Sequence, residues 1–274
     1  MIKLIITDMD GTLLNDRHEI HPEFWEIEEE LSEKGILLAV ASGRQYYNLE
    51  SRFKSLNDRM IYFAENGTHV VHRSKDLFVN ELDPEAAKKF ITAGRKIDGV
   101  QLVLCCKGSA FVESRDEAFI SEIKQYYERL EYVEDLTLVQ DSILKVTICD
   151  WKGVENNSYP AFKEFEQDYK VAIAARIFLD ITNITANKGT AIKKVQQQLG
   201  ISPQETLVFG DYLNDLEMMQ NAGTSYAMKN AHPEIIKIST HITKFDNNEN
   251  GVLETLKSLG LAGTLASFPP QIKK

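Results

Sequence analysis

Short apolar runs recur along the chain, bounded by polar clusters and alternating with stretches of helical spacing. Leu4-Ile5-Ile6-Thr7, Ile36-Leu37-Leu38-Ala39-Val40-Ala41, Met60 to Ala64 and Thr206-Leu207-Val208-Phe209-Gly210 read as strands covered on both faces, as in a parallel sheet. Between them the spacing predicts a helix from about Pro22 to Lys34, with Ile27 and Leu31 on its apolar side and Gly35 closing it. A second opens at Asn187-Lys188-Gly189-Thr190 and runs to Leu199 before Gly200, and a third spans Leu216 to Gln220. Ser225 to Met228 reads as a strand, Pro233 to Ile238 and Gly251 to Leu259 as helices, and the tail from Gly260 to Lys274 carries no usable pattern.

The middle of the chain follows a different grammar. His69 to His72 and Leu77 to Leu82 predict a hairpin with Arg73-Ser74-Lys75-Asp76 at its tip. Helices are then expected over Pro84 to Ile97, Asp116 to Leu130 and Tyr159 to Tyr169, and strands over Val100 to Cys106, Ala110 to Glu113, Ile143 to Cys149, Val171 to Ala174 and Phe178 to Thr182. The expected architecture is therefore an α/β, Rossmann-like parallel core formed by residues 1-82 and 184-274, interrupted by an inserted α+β domain over 83-183.

A length of 274 residues accommodates two such units, each with its own core. The 31 Lys plus Arg against 41 Asp plus Glu give a net charge of -10, which speaks against nucleic acid or an anionic membrane as partner. No stretch is apolar enough to span a bilayer, and Met1-Ile2-Lys3 leads straight into the first strand, so a cytoplasmic protein without a signal peptide is expected. Cys105, Cys106 and Cys149 lack zinc or redox spacing and read as reduced core residues. A monomer or weak homodimer is expected.

The candidate chemistry sits where the apolar runs stop. Leu4 to Thr7 delivers Asp8-Met9-Asp10-Gly11-Thr12 to its own end; two acids this close repel unless one is protonated or a cation lies between them. Mg²⁺, a hard cation content with a few carboxylates, suits the pair. A calcium loop is excluded because Leu13 stands where that loop needs Gly. Asp211 and Asp215 form a second acidic cluster after Gly210, although Asp215 also suits the role of a helix cap. Ser42-Gly43-Arg44 ends the second strand, where the Ser42 hydroxyl equally suits an N-cap. Arg44 and Lys188 read as cations at helix starts, where the dipole favours an anion, and so point to a shared anionic ligand. In the inserted segment Arg95, Lys107, Arg115 and Arg176 read as solvated surface charges. Four acids for a divalent ion and three groups for an oxyanion together describe a phosphoryl group bridged to Mg²⁺.

In this order, Asp8-Met9-Asp10-Gly11-Thr12-Leu13, Ser42-Gly43-Arg44, Lys188-Gly189 and Gly210-Asp211-Tyr212-Leu213-Asn214-Asp215 resemble the four motifs of the haloacid dehalogenase superfamily, most nearly its Cof-type branch with an α/β cap. Glu65-Asn66-Gly67 and the stretch from Ala227 to Pro233 resemble that branch as well. The resemblance implies a Mg²⁺-dependent phosphatase of a small phosphorylated metabolite, either a sugar phosphate or a cofactor phosphate. It implies Asp8 as nucleophile, Asp10 as acid and base with its carbonyl on the metal, and Asp211 and Asp215 as metal groups. It further implies Lys188 as the neutralising cation, Ser42, Gly43 and Asn214 at the phosphate, and Arg44 and Asn66 at the substrate or its loops. Ser42 stands where Thr is frequent, and Tyr212 where a smaller residue is common and a narrower pocket mouth is expected. A phosphomutase using the same aspartyl-phosphate, and a non-catalytic signalling or sensor module, are the competing readings.

Overall fold

The structure is a computed structural model, and it describes residues 1–263; residues 264–274, most of the patternless tail, lie outside the described part. β1 (Leu4–Asp8) is buried throughout, as its unbroken apolar run requires. It leads through α1 (Glu23–Glu33), which buries Phe24, Ile27 and Leu31, to β2 (Leu37–Ala41). There follow α2 (Tyr46–Arg52), β3 (Ile61–Ala64), β4 (His69–His72) and β5 (Lys75–Val79).

The inserted segment comprises α3 (Pro84–Gly94), β6 (Val100–Cys106), β7 (Ala110–Val112), α4 (Glu117–Ile123), β8 (Leu130–Tyr132) and β9 (Ile143–Asp150), then α5 (Tyr159–Phe162), β10 (Tyr169–Ala175) and β11 (Phe178–Asn183). The chain then returns through α6 (Lys188–Leu199), β12 (Thr206–Gly210), α7 (Leu216–Gln220), β13 (Thr224–Ala227), α8 (Pro233–Ile238), β14 (His241–Ile242) and α9 (Gly251–Ser258). Asn187 caps α6 by accepting from the Thr190 amide at 2.7 Å, and Gly200 ends it at φ 64°, a left-handed conformation that favours glycine.

Two sheets result. The first has the order β14-β13-β12-β1-β2-β3-β4-β5, parallel from β14 to β3 and antiparallel beyond. The second has the order β10-β11-β9-β6-β7-β8, antiparallel except between β7 and β8. One apolar core surrounds the first sheet, while two clusters flank the second. Each fully buried Leu, Ile or Phe contributes about 1.5–3 kcal/mol to these cores. Because β12, β1, β2 and β3 are parallel neighbours, their carboxyl ends lie side by side, where α/β sheets bind ligands.

Several local expectations are corrected. Arg44 is not in the first turn of a helix: α2 begins at Tyr46 after the extended Gln45. The hairpin tip shrinks to Arg73-Ser74, both at positive φ, as a tight two-residue turn demands. The helix expected over Asp116 to Leu130 stops at Ile123; Tyr127 turns into the core, where its hydroxyl accepts from Cys105 Sγ at 3.1 Å, and Leu130–Tyr132 pairs with β7. The helix expected to reach Tyr169 is one turn, followed by a 3₁₀ segment over Lys163–Gln167. The two-residue β14 was too short to announce itself. All three cysteines are free and buried.

Candidate active site

Asp8 is the last residue of β1, so the buried strand itself sets its position. Lys188 opens α6 and is wholly buried, its ammonium donating to Asp8 Oδ1 at 2.5 Å and Asp215 Oδ1 at 2.6 Å. The anion answering this misplaced cation is therefore already partly supplied by the protein. Asp215 does not cap α7: its second oxygen accepts from the Asp211 amide at 3.0 Å and the Tyr212 amide at 3.3 Å, folding the loop after β12 back on itself. Asp211 accepts from the Thr12 hydroxyl at 3.0 Å. Gly11, at φ 80°, lets the first loop pass this carboxylate, since a Cβ there would lie 2.5 Å from Asp211 Oδ2.

Asp8, Asp211 and Asp215 each offer an oxygen within 4.8 Å of the others, a potential metal-binding group among the described residues. Burial, then repulsion from Asp215, pushes the Asp8 carboxyl well above its ordinary range against the pull of Lys188. The same two causes raise Asp211 to about 6. Burial would lower the Lys188 ammonium, but Asp215 and Asp8 outweigh it and hold the group charged. A set of hard carboxylate oxygens carrying excess negative charge fits a divalent cation.

Asp10 does not join this group through its carboxylate. The chain has left the strand at Asp8, and Arg44 grips Asp10 with a fork, Nε to Oδ2 at 2.9 Å and Nη2 to Oδ1 at 2.6 Å, while His18 Nδ1 lies 3.1 Å from Oδ1. Burial opposes ionisation of Asp10, but the Arg44 hydrogen bonds prevail and lower its pKa. The close acids of the sequence expectation are thus Asp8 with Asp211 and Asp215, rather than Asp8 with Asp10.

Ser42 is buried at the end of β2, its hydroxyl accepting from the Arg44 amide at 3.2 Å. Gly43 passes under Asn66, whose amide nitrogen would lie 3.2 Å from a Cβ at that position. Asn66 in turn accepts from Asn214 Nδ2 at 3.1 Å, tying the tip of β3 to the loop after β12. Asp8, Asp10, Ser42, Gly43, Asn66 and Asn214 all border one cavity of about 600 Å³. Tyr212 and Leu213 stand exposed at its edge.

The sequence reading missed Thr12 as an Asp211 partner, His18 as an Asp10 partner, and the ionic group Lys145, Asp180 and Glu65 on the far wall of the cavity. The available signal for the last was a lysine in the middle of the apolar run Ile143 to Cys149.

The family model for haloacid dehalogenase-like hydrolases matches residues 5–256. The chain is 32% identical over 258 residues to 5-amino-6-(5-phospho-D-ribitylamino)uracil phosphatase YbjI of Escherichia coli, covering 93% of this chain and 95% of that one. It is 26% identical to phosphatase YwpJ of Bacillus subtilis, over 94% of this chain and all of the relative. The crystal structure of a haloacid dehalogenase-like hydrolase from Bacteroides thetaiotaomicron shares the fold with a TM-score of 0.84, at 23% identity over 94% of this chain and 100% of that one. Strand tips that gather three acids about one lysine, on a sheet and insertion of this order, agree with those matches: the chain belongs to the haloacid dehalogenase-like hydrolases, in their Cof-type branch, and is a phosphatase.

Proposed function

We propose that this phosphatase is Mg²⁺-dependent and hydrolyses a small phosphorylated metabolite, a sugar phosphate or a cofactor phosphate, through an aspartyl-phosphate on Asp8. The observation that carries the reading is the meeting of Asp8, Asp211 and Asp215 at one point, with a single buried ammonium, Lys188, bridging Asp8 and Asp215. Asp8 and Asp211, with Asp215 supporting them and the Asp10 carbonyl nearby in sequence, would hold the metal. When bound, it neutralises the phosphoryl oxygens and so lowers the barrier to attack by an anion.

Asp8 attacks phosphorus and the ester oxygen leaves; water then attacks the phosphorus of the aspartyl-phosphate and regenerates Asp8. Lys188 offsets the charge of Asp8 and of the transferring group. Asp10, ionised by Arg44, is in the form that takes the proton of the attacking water. Its service as acid toward the leaving oxygen requires the Arg44 fork to open. Ser42, the Gly43 amide and Asn214 receive the phosphoryl oxygens, and Asn66 holds Asn214 in place. Residues of the second sheet line the far side of the cavity, and closure of that sheet over a bound substrate would exclude bulk water.

The test is phosphate release, with and without Mg²⁺, from a panel of sugar phosphates, pyridoxal and flavin phosphates and the compound named for the Escherichia coli relative, with isomer formation followed in parallel. Release that needs Mg²⁺ and is lost in Asp8→Asn is expected. Metal-independent release, or unchanged release in that variant, would refute the mechanism, and isomer without phosphate would make the enzyme a mutase.

A further inference from the structure

The cavity above Asp8 reaches into the inserted segment, and its far wall carries charges that the strand tips do not explain. β9 is buried along its whole length yet contains Lys145, and its neighbour β11 contributes Asp180. Lys145 Nζ lies 3.1 Å from Asp180 Oδ2 and 2.8 Å from Glu65 Oε2, which belongs to the tip of β3 in the other sheet. Thr147 Oγ1 donates to the second Asp180 oxygen at 2.6 Å. Glu65 is only 3% exposed and sits at φ 49°, followed by Asn66 at φ 55°, two left-handed residues in succession at a ligand-facing strand end.

Ion pairs buried for stability alone gain little over apolar packing of equal volume. This group also retains unused capacity. Lys145 gives one of its three donors to Asp180 in good geometry and holds Glu65 Oε2 at 2.8 Å, which leaves it a donor for a further oxygen. Lys145 and Asp180 border both the 600 Å³ cavity and an adjoining one of about 630 Å³ flanked by Tyr126 and Phe178, and both spaces reach Asp10. The group therefore stands where the part of a substrate beyond its phosphate must lie.

We propose that Lys145, Asp180 and Glu65 are specificity-determining residues that select phosphomonoesters whose leaving alcohol carries further free hydroxyls. The assignment rests on the phosphatase reading above. A hydroxyl both donates to a carboxylate and accepts from an ammonium, so a hydroxyl-bearing chain or ring completes the group without changing its charge. An apolar leaving group covers the edge of Asp180 and Lys145 that still faces the cavity and returns nothing to it, the situation in which polar sites discriminate most strongly. A second anionic group on the substrate meets two carboxylates against one ammonium; Lys170, the other cation on this wall, donates to the Ala186 carbonyl at 3.1 Å.

The experiment compares kcat/KM for ribose 5-phosphate, phenyl phosphate and fructose 1,6-bisphosphate in the wild type and in Asp180→Asn, Glu65→Gln and Lys145→Met, with Mg²⁺ present. The wild type is expected to prefer ribose 5-phosphate over both others. In each variant the ratio of ribose 5-phosphate to phenyl phosphate efficiency should fall at least tenfold, through a higher KM for the sugar ester. The near-isosteric Asp180→Asn decides the matter if Lys145→Met does not fold. Equal losses toward all three esters would mark the group as a structural seat and overturn the proposal, as would an unchanged ratio. A wild type that hydrolyses none of the three but releases phosphate from another ester of the wider panel would overturn this assignment alone, and one that releases phosphate from no ester of that panel would refute the proposed function and this assignment with it.

Discussion

Two ionic groups face the same cavity, and they are built in opposite ways. At the floor, Asp8, Asp211, Asp215 and Lys188 come from three separate segments brought together by parallel strands and one helix start. In the roof, Lys145 and Asp180 stand on adjacent antiparallel strands and reach down to Glu65. The floor sets three carboxylates beside one ammonium, which pairs with Asp8 and Asp215, an excess of negative charge that a divalent ion would balance. The roof carries two on one and, as argued above, is completed by neutral hydroxyls. On the proposed function the difference separates chemistry from choice: an arrangement fixed by the connectivity of the sheet would perform the reaction, and one fixed by side-chain register in the insertion would select what enters.

Breaking the floor should have the largest effect. Asp8→Asn replaces the proposed nucleophilic carboxylate by a neutral amide and should lower kcat by at least about a thousandfold in steady-state assays, with the fold retained. Lys188→Met leaves Asp8 and Asp215 buried without their counter-charge, a loss of about 3–5 kcal/mol measured by denaturant unfolding without metal. Added Mg²⁺ should restore part of that loss, whereas it should not rescue a comparable lesion at Lys145.

Proton competition sharpens the contrast. With Asp211 raised from 3.8 to about 6, the metal-free folded protein binds a proton that the unfolded chain releases, so this residue's contribution to metal-free stability diminishes as pH rises from about 4 through about 6. Mg²⁺ binding has the opposite dependence. Its affinity, read by titration calorimetry, should weaken up to about tenfold for each pH unit below 6.

The smallest effect lies where the two regions touch away from the charges. Gln45 donates to the Arg129 carbonyl at 3.0 Å and accepts from the Arg129 amide at 2.9 Å. Gln45→Ala should cost about 1–2 kcal/mol in unfolding and should raise hydrogen exchange at the Arg129 amide.

The same contrast explains what could be read from the chain itself. Asp8, Lys188, Asp211 and Asp215 were legible because each follows or opens an element whose apolar pattern is unmistakable, and parallel strands bring such ends together whatever their side chains. Arg44 was recognised as significant but for the wrong reason: it is not a helix-start cation, and its partner is Asp10. Lys145 and Asp180 were not legible, because their meeting depends on the register Lys145 opposite Thr182 and Thr147 opposite Asp180, which no local pattern specifies. The shortened helix after Asp116 failed similarly, since burial of Tyr127 against Cys105 overrides local helical preference.

The most direct test of the central claim is a crystal structure grown with Mg²⁺ and beryllium trifluoride, a mimic of the transferred phosphoryl group. The account predicts the trifluoride attached to an Asp8 carboxylate oxygen, Mg²⁺ between Asp8 and Asp211, and Lys188 turned toward the fluorines. A mimic bound to any other residue, or a metal held away from Asp211, would contradict it.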